Sequence, residues 1–245
     1  MIKYCICTWH ICFIFLVLFI PGTFGQRTVT ILADDSVEVT ADVYFQSIRY
    51  PFIVLCHGLG SSRGEYQFIA NKLTNLKYNC LAVDLRVGDE SNFVHNETVR
   101  NLGYKCNTYS TSLKDIEAAI NYAHDKTKLP VILLGNNFSA SLCLISAKNN
   151  KKVHAVLGFS PGEYFNDISV SGSLEAFDKE LFICCNKTEQ PYTDSLIRYV
   201  PESLLFRCCH EAPKANKGIE LLSEKNPNHH LFWLDLLFYF NKLSQ

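Results

Sequence analysis

The segment Pro130–Ser141 (PVILLGNNFSAS) has the residue types needed to present one side chain at the apex of a sharp turn. Four apolar residues run into Gly135, and a new segment with apolar periodicity starts at Phe138. The pattern predicts a buried strand, a tight turn and a helix start. This is the layout of the nucleophile elbow G-x-S-x-G, with Ser139 in place of the last glycine. The position of the nucleophilic serine is taken by Asn137, whose amide forms hydrogen bonds but is not a nucleophile.

Other apolar runs along the chain also end in polar or glycine-rich residues. Phe52–Cys56 leads into HGLG, Cys80–Val83 leads into Asp84, and Val153–Phe159 leads into Ser160. Uninterrupted apolar runs of this length are typical of strands buried on both faces, and segments with helical period lie between them. The alternation predicts a three-layer α/β fold. We expect a mostly parallel sheet of about eight strands, opened by an antiparallel hairpin and covered by helices on both faces.

Four short segments, in this order, carry a resemblance to a known superfamily: HGLG (57–60), VDLR (83–86), GNNFSAS (135–141) and FSPGEY (159–164). Together they resemble the α/β-hydrolase superfamily, in its small serine-hydrolase form that has no cap domain. SRGEY (62–66) and SPGEYF (160–165) are similar to a bacterial-type branch. The resemblance covers Val29 to Lys242 and implies the three-layer α/β-hydrolase fold, as a single domain over residues 26–245.

In that superfamily a histidine, oriented by an acid, deprotonates the elbow serine, and two backbone N–H groups hold the oxyanion. The resemblance implies that Asn137 fills the nucleophile position. It also implies that the N–H groups of Leu59 and Phe138 are the oxyanion donors. Backbone donors are not removed by side-chain substitution, so this part of the machinery is expected to persist.

The same resemblance implies an acid just beyond the strand Leu181–Cys185, where Glu189 has the right type and position. A solvated loop carboxylate is an equally good interpretation of Glu189. The histidine belongs in the loop after the last strand, where we assign its position to Asn216. His210, the only histidine in that loop, is the alternative base.

Asparagine therefore occupies both the nucleophile and the histidine positions, and we predict that hydrolase activity has been lost. The domain then acts by binding a small-molecule or protein ligand, without a cofactor or a metal ion. The alternative is an active secreted esterase or peptidase whose triad is displaced or substituted. Ser139 and Ser160 are weaker candidates for its nucleophile, because the first is expected to point away from the apex and the second to be a turn residue. Conversion of Asn137 to aspartate would create a carboxylate nucleophile of the kind that some superfamily members use.

The N-terminal residues predict export. Ile11–Ile20 is an unbroken apolar run after a single lysine, and Pro21 and Gly22 break it before a short segment that ends at Gly25. This is the pattern of a signal peptide over residues 1–25, with a retained signal anchor as the alternative. We expect a secreted protein with no stable membrane insertion after cleavage. A formal net charge of −1 gives no reason to expect nucleic acid as a partner.

Eleven cysteines minus the three in the signal peptide leave eight, an even number that permits disulfides in a secreted chain. The doublets Cys184-Cys185 and Cys208-Cys209 both end apolar runs, which favours one bridge between them. Asn96 and Asn186 lie in N-x-S/T sequons and are the predicted glycosylation sites. The sequon at Asn137 conflicts with the elbow, because a turn packed within the fold cannot carry a glycan.

Overall fold

A computed structural model describes residues 25–103 and 108–244. Residues 1–24 of the predicted signal peptide lie outside this part of the chain, so export stays a prediction. Cys106 also lies outside it. Within the described residues, no helix combines the length and the apolar character that crossing a bilayer requires.

The strands of the described residues are β1 (Gln26–Leu32), β2 (Glu38–Tyr44), β3 (Phe52–Cys56), β4 (Asn79–Val83), β5 (Glu90–Ser91), β6 (Val94–His95), β7 (Val131–Asn136), β8 (Val153–Phe159), β9 (Glu180–Asn186) and β10 (Leu205–His210). Eight of them form one sheet in the order β1-β2-β4-β3-β7-β8-β9-β10. Strand β2 is antiparallel to both of its neighbours, and all the remaining neighbours in this sheet pair in parallel. The predicted eight-stranded, mostly parallel sheet with an opening hairpin is therefore confirmed.

The helices of the described residues are α1 (Gln67–Asn75), α2 (Glu97–Leu102), α3 (Leu113–Thr127), α4 (Phe138–Ala147), α5 (Val170–Ser173), α6 (Gln190–Leu196) and α7 (His229–Leu243). Helices α3 and α4 pack on one face of the sheet, and α1 and α7 pack on the other, so two apolar clusters are separated by the strands. Strands β3, β4 and β7 are buried along their whole length, as their apolar runs predict. The carboxyl ends of the parallel strands lie at one edge, where open α/β sheets bind their ligands.

Two arginines, Arg63 and Arg86, form ion pairs around the loop that follows β4. The Arg63 N–H donates to Asp84 Oδ1 at 2.7 Å, and the Arg63 guanidinium also pairs with the Asp84 carboxylate. The Arg86 guanidinium pairs with Asp115 on α3 and with Asp35 in the β1–β2 turn, both at 2.6 Å. Loss of one partner of a buried pair typically costs about 3–5 kcal/mol, because it leaves the other charge uncompensated. Asp84 and Arg86, the charged residues of VDLR, therefore stabilise the fold through buried ion pairs.

Between Gly88 and Gly103 the chain forms the β5–β6 hairpin and helix α2. Asn96 caps the start of α2, because its Oδ1 accepts the Val99 N–H at 2.9 Å. Capping asparagines of this kind typically stabilise a helix by about 1 kcal/mol.

Both asparagines predicted as glycosylation sites are buried in this fold. Asn96 is 1% exposed, and its Nδ2 donates to the carbonyls of Leu85 and Val87 at 2.8 and 3.1 Å. Asn186 is fully buried, and its Nδ2 donates to carbonyls in the loop after β10 at 3.0 and 3.2 Å. A glycan is attached to this nitrogen and needs it in solvent. Neither side chain is therefore able to carry a glycan in the folded domain.

The two cysteine doublets lie side by side in β9 and β10, in parallel register. The Sγ atoms of Cys185 and Cys209 are 2.8 Å apart, and those of Cys184 and Cys208 are 3.7 Å apart. No disulfide bond joins the cysteines of the described residues. The predicted bridge between the doublets is therefore not present in the structure, although the doublets face each other.

Candidate functional site

Asn137 occupies the apex of a strained turn between β7 and α4. Its φ of 53° and ψ of −115° lie in a region that non-glycine residues rarely adopt. Its N–H donates to the Phe159 carbonyl at 2.8 Å, which connects the turn to β8. Gly135 permits the turn, because a β-carbon there would lie 2.6 Å from the backbone nitrogen of Ala140. The strand, the turn and the helix start are present, with an amide side chain at the apex.

The Ser139 hydroxyl points towards the strands. Its Oγ accepts the Asn136 N–H at 2.9 Å and donates to the Cys56 carbonyl at 2.6 Å, and the side chain is fully buried. These bonds hold the first turn of α4 against β3 and β7. Ser139 is therefore a structural residue and not a displaced nucleophile.

Gly218, in the loop after β10, faces the side chain of Asn137. A β-carbon at Gly218 would lie 2.9 Å from Nδ2 and 3.1 Å from Oδ1 of Asn137, and it would overlap the amide oxygen of Asn136. Its φ of +59° also favours glycine. A side chain, and in particular an imidazole, has no room at this position.

The position assigned to the histidine, Asn216, lies in the same loop, two residues before Gly218. The Asn216 carbonyl accepts the Asn186 Nδ2 hydrogen at 3.4 Å, and its side chain makes no hydrogen bond within residues 25–103 and 108–244. Sequence reasoning missed Gly218. The signal for it was the glycine itself, which marks a backbone position with positive φ. The residue of this loop that faces Asn137 thus has no side chain with which to remove a proton.

Glu189 lies just beyond the carboxyl end of β9, at the position expected for the catalytic acid. Its Oε2 accepts the Ser160 hydroxyl at 2.9 Å, and its Oε1 lies 3.1 Å from Lys217 Nζ. The Ser160 Oγ in turn accepts the Gly218 N–H at 2.9 Å. A chain of polar contacts therefore leads from the carboxylate to the loop that faces the elbow, but it passes through a hydroxyl and a backbone amide and contains no imidazole.

His210, the alternative base, contacts helix α7. Its Nε2 is 2.8 Å from Asp235 Oδ2, and its ring meets Phe232 edge-on with 5.1 Å between the ring centroids. Neither Asn137 nor Glu189 is among its hydrogen-bond partners within the described residues. The structure does not bring His210 to the elbow.

The two predicted oxyanion donors, the N–H groups of Leu59 and Phe138, have no acceptor among the described residues. His57, at the start of HGLG, shapes this loop. Its Nδ1 donates to the Gly58 carbonyl at 2.8 Å and its Nε2 accepts the Leu85 N–H at 3.0 Å. Burial lowers the pKa of His57 to about 4, so the ring is neutral at pH 7. His57 is a structural histidine.

Glu65, which sequence reasoning did not single out, joins the HGLG loop to the elbow. Its Oε2 accepts the Gly58 N–H at 2.9 Å and its Oε1 accepts the Asn136 Nδ2 hydrogen at 3.0 Å. Burial raises the pKa of Glu65 to about 7, against the opposing effect of these hydrogen bonds. Asn136 Oδ1 accepts the Ile219 N–H at 3.0 Å. One polar network thereby holds together the elbow, the HGLG loop and the loop after β10.

A cavity of about 560 Å³ opens beside this network. Phe68, Ile69, Ile219 and Leu222 supply its apolar walls, and Glu65 is among its polar lining residues. Small-molecule sites typically have cavities of this size, and this one combines apolar walls with polar and charged residues.

Comparison with known proteins identifies the fold. The sequence matches no protein-family model and no curated protein. An esterase of Pyrococcus furiosus is similar in structure, with a TM-score of 0.64 at 16% identity over 86% of this chain and 88% of that chain. Dienelactone hydrolase from Anabaena variabilis gives a TM-score of 0.62 at 14% identity, over 87% and 94% of the two chains. A dienelactone hydrolase-like promiscuous phosphotriesterase from metagenomic libraries gives 0.62 at 15% identity, over 89% and 98%. This chain has the α/β-hydrolase fold, as the sequence predicts.

Proposed function

We propose that this protein is a secreted, non-catalytic protein with the α/β-hydrolase fold, and that it binds a small-molecule or protein ligand beside its former catalytic centre. The observation that carries the proposal is Asn137 at the elbow with Gly218 against it. Hydrolysis by a serine-type mechanism needs a nucleophile at the turn and a base within hydrogen-bond reach. An amide and a glycine supply neither.

Loss of these groups is sufficient to remove turnover. In subtilisin, loss of the nucleophile or of the histidine lowers turnover by about 10⁶-fold. The Leu59 and Phe138 N–H groups would leave at most the residual acceleration of an oxyanion hole and substrate binding, about 10³–10⁴ over water. We infer that binding is the function that remains.

The surroundings of Glu189 support the same proposal. Its carboxylate is bonded by the Ser160 hydroxyl and paired with Lys217, so both oxygens have partners without a histidine. A partly buried carboxylate that lost its imidazole and gained no partner would destabilise the fold. Because Ser160 and Lys217 are partners of Glu189, the loss of the histidine does not leave an unpaired, partly buried carboxylate that would destabilise the fold.

The cavity beside Glu65 supports ligand binding. It combines apolar side chains with four charged ones, the carboxyl groups of Glu65, Glu220 and Glu224 and the ammonium group of Lys225, so negative charge predominates at its border. We propose that the ligand is an apolar molecule with a hydrogen-bond donor or a positive charge at one end, because apolar area supplies affinity and a few polar groups fix orientation.

One observation favours the alternative, an active secreted esterase or peptidase with a substituted triad. The N–H groups of Leu59 and Phe138 have no acceptor within the described residues, so they remain available to an oxyanion. Among the described residues, Ser160 does not supply the nucleophile that this alternative needs, because it is only 4% exposed and donates its hydroxyl to Glu189.

Labelling with a serine-directed fluorophosphonate and hydrolysis of an activated ester decide between the two functions. We expect no covalent labelling, and the same rate of ester hydrolysis for the wild type and for Asn137→Gly. Glycine is the matched control because it adopts the backbone conformation of this turn and removes only the side chain. Stoichiometric labelling, or a rate that falls in Asn137→Gly, would show that the elbow is active.

Binding in the cavity is tested with the neutral apolar dye Nile red. Phe68 lines the cavity and is 59% exposed, whereas Phe238 is 57% exposed on α7 and does not line it. We expect Phe68→Ser to weaken dye binding and Phe238→Ser to leave it unchanged. Equal effects of the two substitutions would mean that the dye binds apolar surface in general.

Export rests on the sequence of residues 1–25. The chain expressed in eukaryotic cells is expected in the medium, with Gln26 as its first residue. Retention of the uncleaved chain in membranes would favour the signal anchor.

A further inference from the structure

Three side chains of types that can ligate a metal meet where β10 packs against α7, outside the site described above. Cys208 and His210 lie on β10 and Asp235 lies on α7, and one ligand atom from each is within 4.8 Å of the others. His210 Nε2 and Asp235 Oδ2 are 2.8 Å apart. Within the described part of the chain, this is the one such group of three or more His, Cys, Asp or Glu residues.

The fold itself brings these side chains together. Cys208 and His210 are two residues apart on one strand, so their side chains project from the same face of the sheet. Helix α7 packs on that face, with Phe232 against the His210 ring. Asp235 is the one charged residue in the apolar run LFWLDLLFYF (231–240).

We propose that Cys208, His210 and Asp235 bind one zinc ion, with solvent in the fourth coordination position. Thiolate sulfur, imidazole nitrogen and carboxylate oxygen are the ligands that Zn²⁺ takes in proteins, at about 2.3, 2.0 and 2.1 Å. Ligand atoms at these distances around a tetrahedral ion are about 3.3–3.6 Å from one another. Small side-chain movements from the arrangement seen here are enough to close the site.

The burial of the three ligands is suited to a site with one open position. Cys208 is fully buried, whereas the side chains of His210 and Asp235 are 29% and 23% exposed. One side of the site therefore faces the core, and the other gives an ion and a water molecule access from solvent. Cys184 Sγ is 3.7 Å from Cys208 Sγ, but it lies outside the compact group, so we do not assign it as a ligand.

Binding is balanced in protons and in charge. Cys208 releases its thiol proton to solvent and binds as thiolate. Before an ion binds, the Nε2 hydrogen of a neutral His210 ring donates to Asp235 Oδ2. On binding, that hydrogen bond is lost, the ring takes the tautomer with its proton on Nδ1, Nε2 binds the ion, and Asp235 binds as carboxylate. Two negative ligands neutralise the two positive charges of the ion, which reduces the penalty of holding it in a half-buried site. The ion would fasten the edge strand β10 to α7, whether or not the elbow is catalytic.

The proposal is tested by titrating the reduced, metal-free protein with Co²⁺ and then with Zn²⁺. We expect a thiolate-to-cobalt charge-transfer band that saturates at one Co²⁺ per chain and disappears when Zn²⁺ displaces it. Asp235→Asn is expected to weaken binding by at least about tenfold, since even outer partners of metal ligands contribute that much. Zn²⁺ should raise the Tm of the wild type by more than that of Asp235→Asn.

Cys209→Ser is the matched control. Cys209 is the next residue of β10, on the opposite face of the sheet, where it opposes Cys185. The control should keep the charge-transfer band and the affinity of the wild type, whereas Cys208→Ala should lose both. If Cys208→Ala does not fold, the weakened metal binding of Asp235→Asn provides the test instead. Asp235 is partly exposed, so its substitution is expected to leave the fold intact. Absence of one-to-one binding, or a band that Cys209→Ser removes and Cys208→Ala retains, would overturn the proposal.

Discussion

Gly218 lies so close to Asn136 that a β-carbon at Gly218 would overlap the Asn136 amide oxygen. That oxygen accepts the Ile219 N–H at 3.0 Å, and the amide nitrogen of the same side chain donates to Glu65. The bare backbone at Gly218 is thus required by the network that joins the elbow to the HGLG loop. A histidine cannot return to this position unless that network is dismantled.

The first prediction concerns the side chain that Gly218 excludes. Gly218→Ala is expected to lower the free energy of unfolding by about 2–4 kcal/mol, from the left-handed backbone and from overlap with Asn136. Gly60→Ala is the control, because Gly60 has a φ of +81° with nothing within 4 Å of the added β-carbon. Gly60→Ala should lower the free energy of unfolding only through its left-handed backbone conformation, by about 1–2 kcal/mol. Urea unfolding of both variants gives the comparison, and equal losses would mean that the overlap with Asn136 is relieved without cost.

The second prediction is that a serine at the elbow is not enough to restore chemistry. Asn137→Ser should keep the fold, because serine is smaller than asparagine. It should hydrolyse an activated ester no faster than the wild type, since the residue that faces it, Gly218, cannot act as a base. The measurement is the initial rate from pH 5 to pH 9. A gain in rate that follows the titration of a histidine would reveal a base near the elbow that the present arrangement does not show.

The fold and the elbow were predictable from the sequence because both depend on local patterns. The short apolar run before Gly135 has the length of a buried strand, and a glycine followed by a new apolar period marks a tight turn. The structure adds a contact that the local pattern does not predict, the hydrogen bond from the buried Ser139 hydroxyl to β3. Patterns of this kind survive substitution of the catalytic residue.

The histidine position and the glycan sites were not predictable in the same way. The assignment to Asn216 depended on the path of a loop, which no periodicity fixes, and the structure instead turns Gly218 towards Asn137. A sequon carries no information on burial, and Asn96 and Asn186 use their amides inside the fold. The grouping of Cys208 and His210 with Asp235 also has no local signal, because 25 residues separate His210 from Asp235.

The third prediction concerns the pH dependence that Glu65 confers. The pKa of this carboxyl is raised from 4.5 to about 7 by burial, so between those pH values the folded state holds a proton that the unfolded state has lost. Stability therefore falls as the pH rises through this window, by at most about 3 kcal/mol from this group. In Glu65→Gln this pH-dependent fall in the free energy of unfolding should be absent, even if the variant is more or less stable than the wild type at every pH. The measurement is the free energy of unfolding in urea from pH 4 to pH 8.

Subtracting the pH profile of Glu65→Gln from that of the wild type separates the effect of Glu65 on stability from that of His57. The effect of His57 on stability changes with pH in the opposite direction. The pKa of His57 is lowered to about 4, so its contribution to stability is lost as the pH falls from about 6.5 towards 4. That contribution is common to the wild type and Glu65→Gln. Glu224→Gln, at an exposed carboxylate beside the same cavity, should follow the wild type. Parallel profiles for the wild type and Glu65→Gln would contradict the assigned role of Glu65.

The fourth prediction is that Asn96 carries no glycan in the folded protein, even when the chain passes through a secretory pathway. Its amide nitrogen donates to the Leu85 and Val87 carbonyls, and its oxygen accepts the Val99 N–H. Glycopeptide mapping should therefore find this sequon unmodified, and the same holds for Asn186. Occupancy at Asn96 would require the loop after β4 to leave the fold.

The same contacts give Asn96 a measurable structural role. Asn96→Ala removes a helix cap and leaves two buried carbonyls without a donor, which together should cost about 2–4 kcal/mol. Asn166→Ala is the control, because Asn166 is exposed and should change stability by less than about 0.5 kcal/mol. If both substitutions are nearly neutral in urea unfolding, the amide of Asn96 is not holding the loop, and the physical argument against a glycan there fails as well.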